Sequence, residues 1–284
     1  MSNISDFLMK RRRTRYGTHL ALSFVCFVLA IPVLYALLVA SFTFLESFSS
    51  VEEQFPPGSA FFGNVGELFT DNHFDRYIWN TVVVAAVVVI GKTAFSMLAG
   101  LAFVYFRFPG KWFLFFFALL TLLLPTEIIL LPLFNLVADL EWGANNPRLA
   151  LTVPFLASAA GAFLFRQHFS NIPREMADAA QMDGANPLRF LWSVLLPMSW
   201  NVIVAHAVLQ FIAMWHLYLW PIIVLQSEDD QLVQQGVRAA ASFGTQPDFR
   251  MAMTAGVVAS LPPLIVFILL QKQFMSGFSL TRDK

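Results

Sequence analysis

A chain of 284 residues that is 57% hydrophobic, only 13% charged and without net charge does not have the make-up of a soluble domain, in which charged residues supply about a quarter of the sequence. The charge balance also argues against a nucleic-acid partner, and with one cysteine, Cys26, no disulfide can close within the chain. The 31 phenylalanines suit a surface that meets lipid and neighbouring helices.

Met1 to Gly17 holds Lys10, Arg11, Arg12, Arg13 and Arg15 and leads into an apolar run from His19 to Leu45. The hydrophobic part of a cleaved signal peptide is about 7–15 residues long. This run is longer, so it reads as a first spanning helix, uncleaved and kinked at Pro32. Glu46 to Tyr77 follows as an acidic loop whose single base is Arg76. Five further apolar runs are Ile78 to Phe106, Trp112 to Val137, Leu149 to Phe165, Ser199 to Leu225 and Met251 to Gln271. At about 20 residues per crossing, the expectation is an all-α polytopic membrane protein with six transmembrane helices. A basic terminus occupies 1–17 and a single transmembrane domain 18–284.

Basic residues give the orientation. Thirteen fall on one side, in the amino terminus, at Arg107 and Lys111, at Arg166, Arg174 and Arg189, and at Lys272, Arg282 and Lys284. Only Arg76, Arg148, Arg238 and Arg250 fall on the other, and Lys92 lies within a span. Positive charge stays inside, so both termini and the loop 170–198 are expected in the cytoplasm.

Gly91-Lys92-Thr93 has the tail of a phosphate-binding loop, but the glycine needed five residues before Gly91 is Ala86, within an apolar span. No zinc-type histidine spacing and no nucleophile, base and acid set is present, so the chain is expected to be non-catalytic, with no metal and no cofactor of its own. Lys92 and Glu127 lie at matching depths in two antiparallel spans, where ionisable groups are expensive. Two readings fit: the pair is buried together, or Lys92 lines a pathway and attracts an anionic substrate. Pro125 and Pro132 interrupt the third span, and the small residues Ala157 to Ala162 form a packing seam in the fourth.

Between the fourth and fifth spans, Arg174 to Met182 and Leu188 to Leu196 are helical runs on either side of Gly184, where the chain can turn without a Cβ penalty. A helix-turn-helix at a membrane surface, with little bulk at Ala179, Ala180 and Ala185, suits docking in another protein's groove. The fifth span ends in Trp215-His216-Leu217-Tyr218-Leu219-Trp220-Pro221. This is an aromatic belt at the outer interface, or rings and polar edges for a polyol or sugar. Trp215 and Tyr218, three apart, are expected to share a helix face, as are His216 and Trp220, four apart.

Asp178-Ala179-Ala180, three residues, Gly184, nine residues and Val194-Leu195-Leu196-Pro197 resemble the EAA loop of ABC importer permeases, with aspartate for glutamate and valine for isoleucine. From about residue 20 to 280 the chain is similar to carbohydrate-type permeases of the maltose-permease class, in particular the shorter of their two subunits. Leu124-Pro125-Thr126-Glu127, Phe163-Leu164-Phe165-Arg166-Gln167 and Tyr218-Leu219-Trp220-Pro221 are most similar to the glycerol-3-phosphate permeases of that class. The resemblance implies a bacterial inner-membrane assembly with a second homologous permease subunit, two ABC ATPase subunits that bind ATP and Mg, and an extracytoplasmic solute-binding protein. It implies import of sn-glycerol-3-phosphate, a glycerophosphodiester or a related polyol or sugar by alternating access, or else of oligosaccharides. Asp178, Ala179, Ala180, Asp183, Gly184 and Ala185 would insert into the ATPase cleft, with Leu188 or Phe190 as apolar anchors, while Lys92, Glu127, Trp215, His216, Tyr218 and Trp220 are candidates for the substrate pathway. An ion-coupled secondary transporter is the competing class, and it leaves the loop unexplained.

Overall fold

The computed structural model describes residues 2–48, 57–243 and 246–279, with the side chains of 2–15, 126, 127, 243 and 276–279 outside that description. In chain order the elements are α1 (Ser2–Val39), a 3-10 turn at Glu46–Phe48, α2 (Phe61–Thr70), α3 (Phe74–Tyr105), α4 (Lys111–Thr121) and α5 (Thr126–Asp139). Next come α6 (Trp142–Asn145), α7 (Pro147–Thr152), a 3-10 turn at Val153–Phe155, α8 (Ala159–Ser170) and α9 (Arg174–Met182). Then follow α10 (Pro187–Phe190), a π turn at Leu191–Leu195, α11 (Leu196–Met198), α12 (Trp200–Trp215) and α13 (Leu219–Val224). After a 3-10 turn at Glu228–Asp230 the chain closes with α14 (Val233–Ala240), a ribbon of β1 (Ser242–Phe243) and β2 (Gln246–Pro247), and α15 (Phe249–Ser279).

Two compact units divide the chain, one of Met1–Asn72 with Val237–Val258 and one of His73–Gly236 with Ala259–Lys284. In the first, α1 runs unbroken through Pro32, and only 6% of its apolar window is buried by the chain itself. Beyond α1, Asn64 is buried and its Nδ2 donates to the carbonyls of Ala40 and Phe42 at 2.9 and 2.8 Å. Arg250 reaches the same place. Its Nη1 donates to Asn64 Oδ1 at 2.7 Å, and its two terminal nitrogens grip the Glu67 carboxylate at 2.6 and 2.8 Å. Asp248 lies 3.3 Å from Arg250 and caps α15 by accepting the Met251 N–H at 2.9 Å.

The second unit is built on α3, which packs against α8 and α12. One apolar cluster surrounds Met97 and Leu101 of α3 with Phe165 and Phe169 of α8 and Phe190, and another surrounds Val84 and Val88 with Leu151, Met214 and Trp220. Helices α3 and α8 come close because two glycines face the crossing. A Cβ on Gly161 would collide with Ser96 Oγ, and one on Gly100 would stand 2.7 Å from the Cβ of Phe165. The small-residue seam therefore packs within this chain.

Among the described residues, Tyr16–Val39, Phe74–Tyr105 and Phe249–Met275 are long and apolar enough to cross a membrane. Two bent pairs also qualify, Pro147–Phe155 with Ala159–Ser170 at 43° and Pro187–Met198 with Trp200–Trp215 at 84°. Three of the expected spans are thus broken. The run 112–137 splits into α4 and α5 at Pro125, which has no N–H and disfavours a helical residue before it. Leu122, Leu123 and Leu124 instead close short turns on the carbonyls of Leu119, Leu120 and Thr121. The run 149–165 breaks at Leu156 and restarts at Ser158, whose hydroxyl accepts the Gly161 N–H at 3.0 Å. The run 199–225 breaks after Trp215.

Candidate functional site

The loop 170–198 folds into an elbow whose turn is specified residue by residue. Helix α9 ends in a Schellman motif: the Ala185 N–H bonds the Ala180 carbonyl at 2.9 Å and the Gly184 N–H bonds the Gln181 carbonyl at 3.0 Å. The motif needs a left-handed residue, and Gly184 supplies it at φ 73°. Asn186 then caps α10, its Oδ1 accepting the Arg189 N–H at 2.8 Å, with Pro187 in the first helical position. The sequence reading singled out the glycine and missed the Asn-Pro pair, although an Asn before a Pro at a helix start is a legible signal.

Burial sorts the elbow into two faces. Ala177, Ala180, Phe190, Leu191 and Leu195 turn inward against Leu101, Phe169 and Ile172, and the Phe190 ring meets Tyr105 edge to face at 5.1 Å. Phe190, expected as an outward anchor, and Ala180, expected in a partner's cleft, are part of the chain's own core because the helical register places them over α3. Asp178, Ala179, Asp183 and Gly184 are exposed, as expected of contact residues, and Ala185 is half-buried. Leu188 is also exposed, joined by Met182 at 88% and Trp192 at 68%, neither of which the sequence reading named. Asp178 edges a groove of about 270 Å³ shared with Tyr105, Arg107, Arg174 and Gln181.

A second group lies within the helices. Lys92 of α3 donates to Gln210 Oε1 of α12 at 3.0 Å. Next to it, Thr93 Oγ1 and His206 Nδ1 are 3.1 Å apart. Among the described residues, Ser96 Oγ and His206 Nε2 are buried with no hydrogen-bond partner. The Glu127 side chain, the expected partner of Lys92, lies outside the described residues. His206 and Gln210 went unnoticed because each is a single polar residue in an apolar run. What marks them is their spacing of four, which puts both on one helix face.

The aromatic segment is rearranged by the break after Trp215. Trp215 and Trp220 are each 1% exposed, and their indole N–H groups donate to the carbonyls of Ala259 and Ala150, both at 2.9 Å. Their polar edges are therefore used inside the fold, against the expectation of a sugar-binding role. The shared helix faces also vanish, since His216, Leu217 and Tyr218 separate α12 from α13. The carbonyls freed there are not left bare: those of Trp215 and Tyr218 accept the side-chain amides of Gln234 and Gln235 at 3.1 and 2.9 Å. His216 is exposed and Tyr218 half-buried. Among the described residues no three His, Cys, Asp or Glu side chains gather as metal ligands would.

Residues 92–279 match the family described as the binding-protein-dependent transport system inner membrane component. The chain is 33% identical over 267 residues to an sn-glycerol-3-phosphate transport system permease protein of Brucella melitensis, covering 91% of this chain and 94% of the relative. It is 33% identical over 269 residues to the protein of the same name from Rhizobium meliloti, with the same coverage. Its fold is similar to that of a chain in the crystal structure of a bacterial ABC transporter involved in import of the acidic polysaccharide alginate, with a TM-score of 0.80 at 21% identity over 93% of this chain and 97% of the other. The elbow, the broken helices and these likenesses agree: the chain belongs to the binding-protein-dependent transport system inner membrane component family, and is an ABC importer permease of the inner membrane.

Proposed function

We propose that this chain is one of two permease subunits of an ATP-driven importer for sn-glycerol-3-phosphate, a glycerophosphodiester or a related polyol or sugar. In this reading it crosses the membrane six times from a cytoplasmic basic terminus at 1–17, as one transmembrane domain over 18–284, with α4 and α5 together making one crossing. Ion pairs support the topology. Arg250 with Glu67, and Arg76 with Asp229, each join two segments assigned to the outer side. Arg107, Lys111, Arg166, Arg174 and Arg189 all belong to segments assigned to the inner side.

The observation that carries the coupling role is the elbow itself. A turn fixed by a Schellman motif and an asparagine cap is stiff, its inner face packs against apolar side chains of α3 and α8, and its outer face presents Met182, Leu188 and Trp192 beside Asp178 and Asp183. Such a piece transmits displacement from a partner to the helix bundle. Two ABC ATPase subunits hold ATP and Mg and supply that displacement, a homologous permease subunit completes the pathway, and an extracytoplasmic binding protein delivers substrate. Alternating access then needs only that the ATPase conformations bind the elbow unequally. The phosphorylated substrate class is supported by the relatives named for sn-glycerol-3-phosphate transport.

Reconstitution of the whole complex in proteoliposomes tests both halves. ATP-dependent uptake of glycerol-3-phosphate or a glycerophosphodiester is the expected result. Uptake restricted to oligosaccharides overturns the substrate assignment, and uptake without the ATPase overturns the assembly.

A further inference from the structure

Lys92 lies near the middle of the 32-residue α3, and among the described residues the partner that its ammonium finds is an amide oxygen, that of Gln210. An amide fixes the position of a cation without neutralising it. Ser96 follows Lys92 one turn along α3, and His206 precedes Gln210 one turn along α12, so each helix presents two polar groups on one face. The two strips meet, since Thr93 and His206 are in hydrogen-bond contact and Ser96 Oγ and His206 Nε2 both pack against Gly161, so closely that a Cβ there would collide with them. Thr93, Ser96 and His206 are all more than nine-tenths buried, and two of their polar atoms have no partner among the described residues. In an apolar surrounding such groups are costly to leave unmatched. A seam with one fixed positive charge and several spare hydrogen-bonding groups matches an anion.

We propose that Lys92 and Gln210, with His206 and Ser96 beside them, form an intramembrane recognition point for the phosphate group of the transported substrate. The site distinguishes phosphorylated polyols from neutral sugars, for which an ammonium held by an amide offers no advantage. Gln210 is a positioning residue: it holds Lys92 at the junction of α3 and α12 while leaving its charge available. This rests on the importer reading above and adds to it the residues that select the substrate.

The decisive substitution is Gln210→Glu. It sets a carboxylate against Lys92, so a merely structural contact between α3 and α12 is kept or strengthened, whereas the charge needed for an anion is cancelled. In the complete reconstituted complex, maximal glycerol-3-phosphate uptake at saturating loaded binding protein should fall roughly tenfold or more in Gln210→Glu and in Lys92→Gln. Lys92→Arg should retain most of the rate. The yield and melting temperature of the assembled complex should stay near wild type in each variant, which separates lost recognition from failed folding. Unchanged uptake in Gln210→Glu overturns the proposal, as does recovery of Lys92→Gln by Glu127→Gln, which would make Lys92 one half of a structural ion pair. Wild-type complex that imports no phosphorylated substrate instead brings down the substrate assignment, and this site with it.

Discussion

At Gly184 a single backbone angle decides what the elbow can do. Its φ of 73° is left-handed, and a Cβ added there would meet nothing within 4 Å. The cost of a side chain is therefore conformational, about 1–2 kcal/mol for an ordinary residue and less for asparagine. Gly184→Val should weaken the turn and slip the timing between hydrolysis and transport, so that uptake per ATP hydrolysed falls in the order Asn, Ala, Val. An unchanged ratio in the valine variant would remove the elbow from the coupling path. A second contrast separates core from contact. Phe190→Ala opens the inner cluster and should cost about 3–5 kcal/mol of stability, visible as a lowered melting temperature in detergent. Leu188→Ala and Trp192→Ala should leave melting nearly unchanged and reduce co-purification of the ATPase. The sequence placed all three residues on the elbow and assigned Phe190 the wrong face, because inward and outward positions on so short a helix depend on where α3 lies, which no local pattern encodes.

Elements were more legible than side chains where their signals were long. The apolar runs Ile78 to Phe106 and Met251 to Gln271 located α3 and α15, although both helices begin earlier and α15 continues to Ser279, and α9 runs from Arg174 to Met182 as its composition predicts. Broken spans were harder. Pro125 was visible as an interruption, but a proline can kink one helix as well as divide two, and the short turns closed by Leu122, Leu123 and Leu124 that separate α4 from α5 have no signature in an apolar run. The break after Trp215 has no proline at all and is held by Gln234 and Gln235, about twenty residues downstream. The ionic clamp on Arg250 was likewise invisible, since nothing local pairs it with Glu67 and Asn64, more than 180 residues away. That clamp carries its own prediction. Arg250→Ala leaves the buried Asp248 and half-buried Glu67 carboxylates uncompensated, a loss of about 3–5 kcal/mol. Arg250→Lys keeps the charge and loses the two-pronged grip, so its melting temperature should lie between those of alanine and wild type. Equal melting of all three would mean that the clamp contributes nothing.

For the whole molecule, the orientation in the membrane and the assignment of the elbow to the ATPase stand together, because an elbow on the outer side could not meet ATP. The charge asymmetry is a statistical signal, whereas side-chain accessibility tests the orientation directly. The chain has one cysteine, Cys26, exposed on α1, so Cys26→Ser gives a clean background. Met182→Cys and Leu188→Cys lie on the exposed face of the elbow, and Phe62→Cys on the exposed side of α2 in the acidic loop. In intact cells a membrane-impermeant maleimide should modify the Phe62 position only. In inside-out vesicles it should modify the two elbow positions, and protection of these on adding the ATPase would place the partner on that face. Labelling of Met182→Cys from outside would invert the topology and end the coupling argument. Labelling from inside that the ATPase leaves undiminished would keep the topology and move the point of contact elsewhere on the inner surface, with the groove edged by Arg107, Arg174 and Asp178 as the next place to probe.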